Sequence, residues 1–99
     1  MHKMKLFVDT HDKRTGTFPA AIGKEAFGEV FKQYAKACES EGVVIVNTMV
    51  SAGDGRMYCV NLAPDQGAIR RAHEKAGLTF DAITEVTTAS PGDIYFQWK

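Results

Sequence analysis

Arg56–Thr88, RMYCVNLAPDQGAIRRAHEKAGLTFDAITEVTT, carries the strongest fold signal in the chain, because it predicts a strand, a helix and a strand in succession. Met57–Leu62 is rich in aromatic and β-branched residues, which favour a strand. The Ala-Pro-Asp sequence at 63–65 interrupts the strand and caps the helix that follows. Gly77 ends that helix, and Phe80–Thr87 resumes a strand pattern. The second half of the chain therefore predicts a βαβ unit.

The first half of the chain repeats this order. Lys5–His11 alternates between two sets of side chains with period two, which predicts a strand. Apolar residues recur at three-, four- and seven-residue intervals over Lys24–Glu41 and predict a helix that stops at Gly42. Val43–Val50 is β-branched, and the Ala-Gly-Asp-Gly sequence at 52–55 supplies a hairpin turn to the next strand. Two βαβ halves are thus joined in the middle of the chain.

This order predicts an α+β ferredoxin-like plait (βαββαβ), in which an antiparallel four-stranded sheet carries two helices on one face. At 99 residues, we expect a single domain over 1–99, with a long connection at 12–23. The strands are apolar on both faces, so the face without helices also requires burial. We therefore expect a homodimer with sheets face to face, as a dimeric α+β barrel or sandwich. The tail 89–99 would add a strand to its own sheet or pack on the partner subunit.

Composition and charge narrow the class of partner. Twelve basic residues balance twelve acidic ones, so we expect no nucleic-acid partner. We also expect no membrane partner, because no apolar run approaches the roughly 20 residues that span a bilayer. The segment MHKMKLFVDTHD at 1–12 predicts a short strand rather than a signal peptide, which indicates a cytoplasmic protein. Cys38 and Cys59 lack CxxC spacing and are expected to be free, buried residues.

Short motifs in the second half of the chain indicate a family. They are Tyr58-Cys59, Ala63-Pro64, Arg70-Arg71, His73, Gly77-Leu78, Phe80-Asp81, Ile83 and Glu85-Val86, together with the first-strand sequence Phe-Val-Asp-Thr-His at 7–11. This pattern resembles a little-characterised ferredoxin-like family of which one member is described as a nickel-binding protein. The resemblance implies a dimeric α+β protein with a site for a divalent metal ion.

The residues themselves offer candidate metal ligands. Asp9 and His11 are two positions apart on one strand, so their side chains point to the same face. Imidazole suits nickel and zinc. His73 lies near the border of the buried face of the second helix, and Glu85 lies on a strand expected beside the first. We therefore hypothesise a metal site of Asp9, His11, His73 and Glu85; the alternative is that each histidine is a hydrogen-bonded structural side chain.

Two other functions fit the same scaffold. A pocket lined by Asp9, His11, Tyr34 and Tyr58 would suit a cofactor-independent oxygenase or isomerase, with His11 as general base. An interaction module without a ligand site is the third alternative. The GxSxG, HExxH, P-loop and GxGxxG motifs do not occur. Our leading hypothesis is a homodimeric protein that binds nickel or another divalent transition metal and uses no organic cofactor.

Overall fold

The computed structural model describes residues 3–19 and 23–89, and it confirms the predicted ferredoxin-like fold. The elements are β1 (Lys5–Asp12), a 3₁₀ turn (Lys13–Thr15), α1 (Lys24–Ser40), β2 (Val44–Ser51), β3 (Arg56–Ala63), α2 (Gln66–Ala76) and β4 (Ala82–Glu85). The strands form one antiparallel sheet in the order β2-β3-β1-β4. The sheet of the single chain is open rather than closed into a barrel.

The ends of α2 follow the predicted signals. The Asp65 carboxylate accepts a hydrogen bond of 2.9 Å from the backbone N–H of Ala68, which satisfies one of the free donors of the first turn. Gly77 has a φ of 68°, a left-handed conformation that glycine adopts without steric cost. The backbone N–H of Leu78 then donates to the carbonyl of His73 at 2.9 Å. Both ends of α2 are therefore set by local chemistry, which fixes where His73 lies along the sheet.

The structure shortens the last predicted strand. β4 has four residues, whereas the sequence pattern predicted a strand over Phe80–Thr87. Backbone hydrogen bonds from Asp81 to Thr10 and from Val86 to Leu6 flank this short ladder, at 2.7 and 2.9 Å. Phe80 precedes the ladder because its ring packs against α2, 5.0 Å from the ring of His73. The proposed roles of the tail 89–99 fall outside the described residues from position 90 onward.

The two faces of the sheet differ in burial. Phe7, Asp9 and His11 of β1 are buried against the helices, whereas Leu6 and Val8, which alternate with them, are only partly buried. The core lies between the sheet and the helices and is mainly apolar. Its residues are Phe7, Tyr34, Ala37, Cys38, Val43, Ala63, Ala68, Ile69, Ala72 and Ile83. The face of the sheet that packs against the helices is here called the covered face. Side chains of β1 alternate between the covered face and the opposite face, as the period-two pattern predicted.

The face without helices is here called the open face. Register places on it the side chains of Leu6, Val8, Val44, Met49, Tyr58, Val60 and Leu62. On the edge strand, Val44 is 53% exposed and Met49 is 49% exposed. Within the described residues, no helix combines the length and apolar character needed to cross a membrane. The open face is thus an apolar sheet surface that no described element of the chain covers.

Candidate metal centre

Three candidate ligands from the sequence meet between the sheet and the helices. Asp9 and His11 point inward from β1, and His73 reaches them from α2. Each offers one ligand atom within 4.8 Å of the other two. Asp9 is 0% exposed, His73 1% and His11 3%. Charged or polar side chains are rarely buried this deeply without a partner, so the contacts inside the cluster decide its chemistry.

Backbone carbonyl groups orient both imidazole rings. Nδ1 of His11 lies 3.2 Å from the carbonyl oxygen of Thr17, and Nδ1 of His73 lies 2.8 Å from that of Ile69. Because a carbonyl only accepts, the second contact assigns the ring N–H of His73 to Nδ1, whereas His11 faces an acceptor at both ring nitrogens, the carbonyl of Thr17 and the carboxylate of Asp9. In each ring, Nε2 is then the atom that faces Asp9. Metal-bound histidines show this arrangement, in which one ring N–H donates to a carbonyl and the other nitrogen is the ligand.

The two Nε2 atoms converge on one carboxylate oxygen. Oδ1 of Asp9 lies 2.7 Å from Nε2 of His11 and 3.3 Å from Nε2 of His73. Nε2 of His73 is buried and has no hydrogen-bond partner. With its proton on Nδ1, this ring directs a lone pair at an oxygen that is itself an acceptor, which is unfavourable in a buried site. A proton or a cation held between the two atoms removes that conflict.

The other carboxylate oxygen is held by an amide. Nδ2 of Asn61 donates to Oδ2 of Asp9 at 2.9 Å and contacts the hydroxyl of Tyr34 at 3.2 Å. Burial alone would raise the pKa of Asp9, but the hydrogen bond from His11 and the close imidazole of His73 outweigh it and hold the pKa below 3.8. Asp9 is therefore an ionised ligand whose free oxygen points at both histidines.

Aromatic packing fixes the position of His73. Its ring centroid lies 4.8 Å from that of Tyr34, 5.0 Å from that of Phe80 and 5.5 Å from that of His11. Burial, and then the negative charge of Asp9, raise the pKa of the Tyr34 phenol, so this residue stays neutral. The cluster is consequently preorganised, since little rotamer freedom remains to be lost when an ion binds.

A small cavity adjoins the cluster. Its volume is about 20 Å³, which is room for one water molecule or one ion. Its lining is His11, Phe27, Val30, Phe31, Tyr34, Met57, Cys59, His73 and Leu78. A neighbouring cavity of about 110 Å³ shares part of this lining and extends to Phe18. The space beside the imidazoles is thus enclosed mainly by apolar side chains.

The remaining predicted site residues lie apart from the cluster or at its edge. Glu85 is exposed on β4 and is not in the group of three ligands. Tyr58 belongs to the open face, on the opposite side of the sheet. Tyr34 does line the cavity. Of the predicted set, the structure brings together Asp9, His11, His73 and Tyr34.

Two residues of the site were missed as functional residues. Asn61 orients Asp9 by a hydrogen bond. The Sγ atom of Cys59 lies 4.0 Å from Nε2 of His11. Burial, and then the charge of Asp9, raise the pKa of the Cys59 thiol. The available signal was the alternation along β3, which puts Cys59 and Asn61 on the covered face while Val60 and Leu62 face the other way.

Fold and site together define a small ferredoxin-like α+β protein with a buried cluster of one carboxylate and two imidazoles. Comparison with known proteins agrees with that class. The chain belongs to the nickel responsive protein SCO4226-like family, whose model matches residues 7–86. This confirms the family resemblance drawn from the short motifs.

A solved structure is also similar. The crystal structure of SCO4226 from Streptomyces coelicolor A3(2) matches with a TM-score of 0.71 and 25% sequence identity. The match covers 86% of this chain and 99% of that one. A comparison with curated proteins found no match.

Proposed function

We propose that this protein binds one divalent transition metal ion, nickel foremost, through Asp9, His11 and His73. The observation that carries the proposal is the buried Nε2 of His73, which has no hydrogen-bond partner and faces the ionised carboxylate of Asp9 at 3.3 Å. The family to which the chain belongs is described as nickel responsive, which favours nickel over other ions of similar chemistry.

Distances within the cluster suit an ion. Nitrogen and oxygen ligands at about 2.1 Å from a metal lie about 3.0 to 3.4 Å from each other at the usual coordination angles. The two separations to Oδ1 of Asp9 are 2.7 and 3.3 Å, close to that range, and all three ligand atoms lie within 4.8 Å of one another. Imidazole favours nickel, zinc and copper over magnesium or calcium.

The cavities support binding more than enzymatic turnover of an organic substrate. Pockets for small organic molecules usually have volumes of about 300 Å³ or more. Beside the cluster, the described residues enclose about 20 and 110 Å³. The cofactor-independent oxygenase or isomerase hypothesis needs a larger enclosed space, and the interaction-module hypothesis offers no reason for three converging ligands.

Titration calorimetry tests the metal proposal. Tag-free, metal-stripped protein is titrated with nickel and with zinc, and we expect one ion per chain at micromolar affinity or tighter. His11→Ala and His73→Phe should each abolish stoichiometric binding; phenylalanine retains the ring packing of His73 and removes its nitrogens. Glu85→Gln, which removes an exposed carboxylate outside the cluster, should bind as the wild type does. Equal affinity in all four proteins would refute the proposed ligand set.

We also propose that the open face pairs with that of a second copy, which gives a homodimer. The face of an antiparallel sheet that meets water is normally polar, whereas Val44 and Met49 are apolar and about half exposed here. Contiguous apolar surfaces of this kind mark interaction sites. Multi-angle light scattering of the full chain should give twice the chain mass of 10.9 kDa, and a monomer at high concentration would contradict the proposal.

A cytoplasmic location is part of the same proposal. Cys38 and Cys59 are both free and buried, which is usual for a protein of a reducing compartment. Cell fractionation with an antibody against the chain would test the location, and recovery in an extracellular fraction would contradict it.

A further inference from the structure

The three proposed ligands leave a transition metal with at least one open position. Catalytic zinc sites illustrate this, since three protein ligands are completed there by a fourth donor. The donors on neighbouring elements are the Tyr34 hydroxyl, the Asn61 amide, the Met57 thioether and the Cys59 thiol. Nδ2 of Asn61 contacts both Asp9 and the Tyr34 hydroxyl, and Oδ1 of Asn61 has no hydrogen-bond partner, but Asn61 does not line the cavity. The two sulfur atoms are therefore the donors that line the cavity without such a contact.

Sheet register holds Cys59 next to the cluster. Cys59 pairs directly with Asp9 across β1 and β3, on the covered face. Directly opposed residues of antiparallel strands have Cβ atoms about 4.5 to 5.5 Å apart. The sulfur lies 4.0 Å from Nε2 of His11, and Cys59 lines the same 20 Å³ cavity as His11 and His73. Three potential ligands thus surround one space of the size of a single ion.

From these contacts, and resting on the proposed metal function, we infer that the Cys59 sulfur is the fourth protein ligand of the ion. Nitrogen at about 2.1 Å and sulfur at about 2.3 Å from one metal lie about 3.6 Å apart at a tetrahedral angle. The present separation is 4.0 Å, and Cys59 is not in the 4.8 Å group, so its sulfur has to move closer to the other ligand atoms when the ion binds.

Coordination changes the protonation of the thiol. The S–H bond breaks heterolytically, the electron pair stays on sulfur and forms the bond to the ion, and the proton leaves to solvent. No oxidant or reductant takes part. The hydroxyl of Thr48, 4.0 Å from the sulfur, is placed to donate to the resulting thiolate. Without a thiolate at Cys59, the Thr48 hydroxyl would have no charged acceptor at this position.

A thiolate makes the donor set two nitrogens, one oxygen and one sulfur. Sulfur ligands are soft and disfavour manganese, magnesium and calcium, which prefer oxygen. The site therefore takes borderline ions such as nickel, cobalt and zinc, and excludes the hard divalent ions that are more abundant in cells. Cys59 is in this sense the residue that determines metal selectivity.

Absorption spectroscopy of the cobalt-loaded full chain tests the inference. Wild-type protein should show the intense near-ultraviolet band of thiolate-to-cobalt charge transfer. Cys59→Ser should lose the band and bind nickel at least about tenfold more weakly. Cys38→Ser removes the other buried cysteine, which belongs to the core rather than to the cavity lining, and should keep both properties. Circular dichroism checks that each variant is folded.

X-ray absorption at the nickel edge gives a second, independent readout. Nickel-loaded wild type should show a sulfur neighbour at about 2.3 Å. Met57→Leu should retain that neighbour, which assigns it to Cys59. A wild-type protein that binds nickel and cobalt without a charge-transfer band or a sulfur neighbour would overturn the inference and leave the proposed function intact. A protein that binds neither ion would overturn both.

Discussion

The covered face of the sheet holds buried polar side chains within its apolar core, whereas the open face holds exposed apolar ones. On the covered face, Asp9 and His11 are almost completely buried. On the open face, Val44 and Met49 are about half exposed. Buried polar groups require partners, and exposed apolar surfaces tend to become interfaces. The covered face therefore has the chemistry of an ion site, and the open face has that of a contact between protein surfaces.

The largest expected effect on stability comes from truncating a side chain on the covered face of β1, compared with its neighbour on the open face. Phe7 is 3% exposed in the core, so Phe7→Ala should lower the free energy of unfolding by about 3 to 5 kcal/mol. Val8 is only partly buried, so Val8→Ala should cost about 1 kcal/mol or less when the protein is monomeric. Urea denaturation of the metal-stripped chain at low concentration measures both. Similar losses at the two positions would remove the distinction between the faces.

An intermediate effect is expected from a charge placed on the open face. Met49→Lys should convert the proposed dimer to a monomer, because a lysine ammonium would be buried without a partner at the proposed interface. The unfolding free energy of the monomer should change by only about 0.5 kcal/mol. Gln33→Lys adds the same charge on an exposed position of α1 and should leave the mass unchanged. Light scattering across a concentration series distinguishes the two variants, and a dimeric Met49→Lys protein would place the interface elsewhere.

The smallest effect concerns a partly buried acid at the end of β1. The side chain and the backbone N–H of Arg14 donate to Asp12 and lower its pKa from 3.8 to about 2. Because the folded-state pKa is depressed, this carboxylate stabilises the fold fully above pH 3.8, and the contribution is lost as the pH falls through about 2.

Asp12→Asn tests this contribution. The unfolding free energy of the wild type should exceed that of the variant at neutral pH, and the difference should shrink as the pH falls from 3.8 toward 2. Unfolding curves at a series of pH values measure it. A difference that grows on acidification would contradict the assigned direction of the pKa shift.

Much of the fold was predictable because its signals are local. The capping carboxylate of Asp65 and the left-handed Gly77 bound α2 through contacts within a few residues. The alternation along β1 likewise follows from strand geometry alone. The start of the last strand was harder to predict. Phe80 fits a strand pattern, yet it lies before β4 and its ring packs against His73. When a residue fits both a strand and the segment before it, its packing against neighbouring elements decides which of the two it joins.

The candidate site was only partly predictable for a related reason. Asp9 and His11 share a face by spacing, so the sequence indicated them as a pair. Their meeting with His73 depends on how α2 crosses the sheet, and the exposed position of Glu85 depends on how far β4 extends. Asn61 was missed because an amide on a strand has no motif, although its inward position follows from alternation along β3.

By itself, the sequence determined the order of helices and strands, the two ends of α2, and the faces to which the side chains of β1 belong. These features depend on contacts between residues close in the chain. Only the tertiary structure decided which groups lie within ligand distance, that Nε2 of His73 faces Asp9 with no hydrogen-bond partner, and that Cys59 lies beside them. The physical reason is that ligand geometry depends on distances of a few ångströms between separate elements, which packing sets and sequence spacing does not encode.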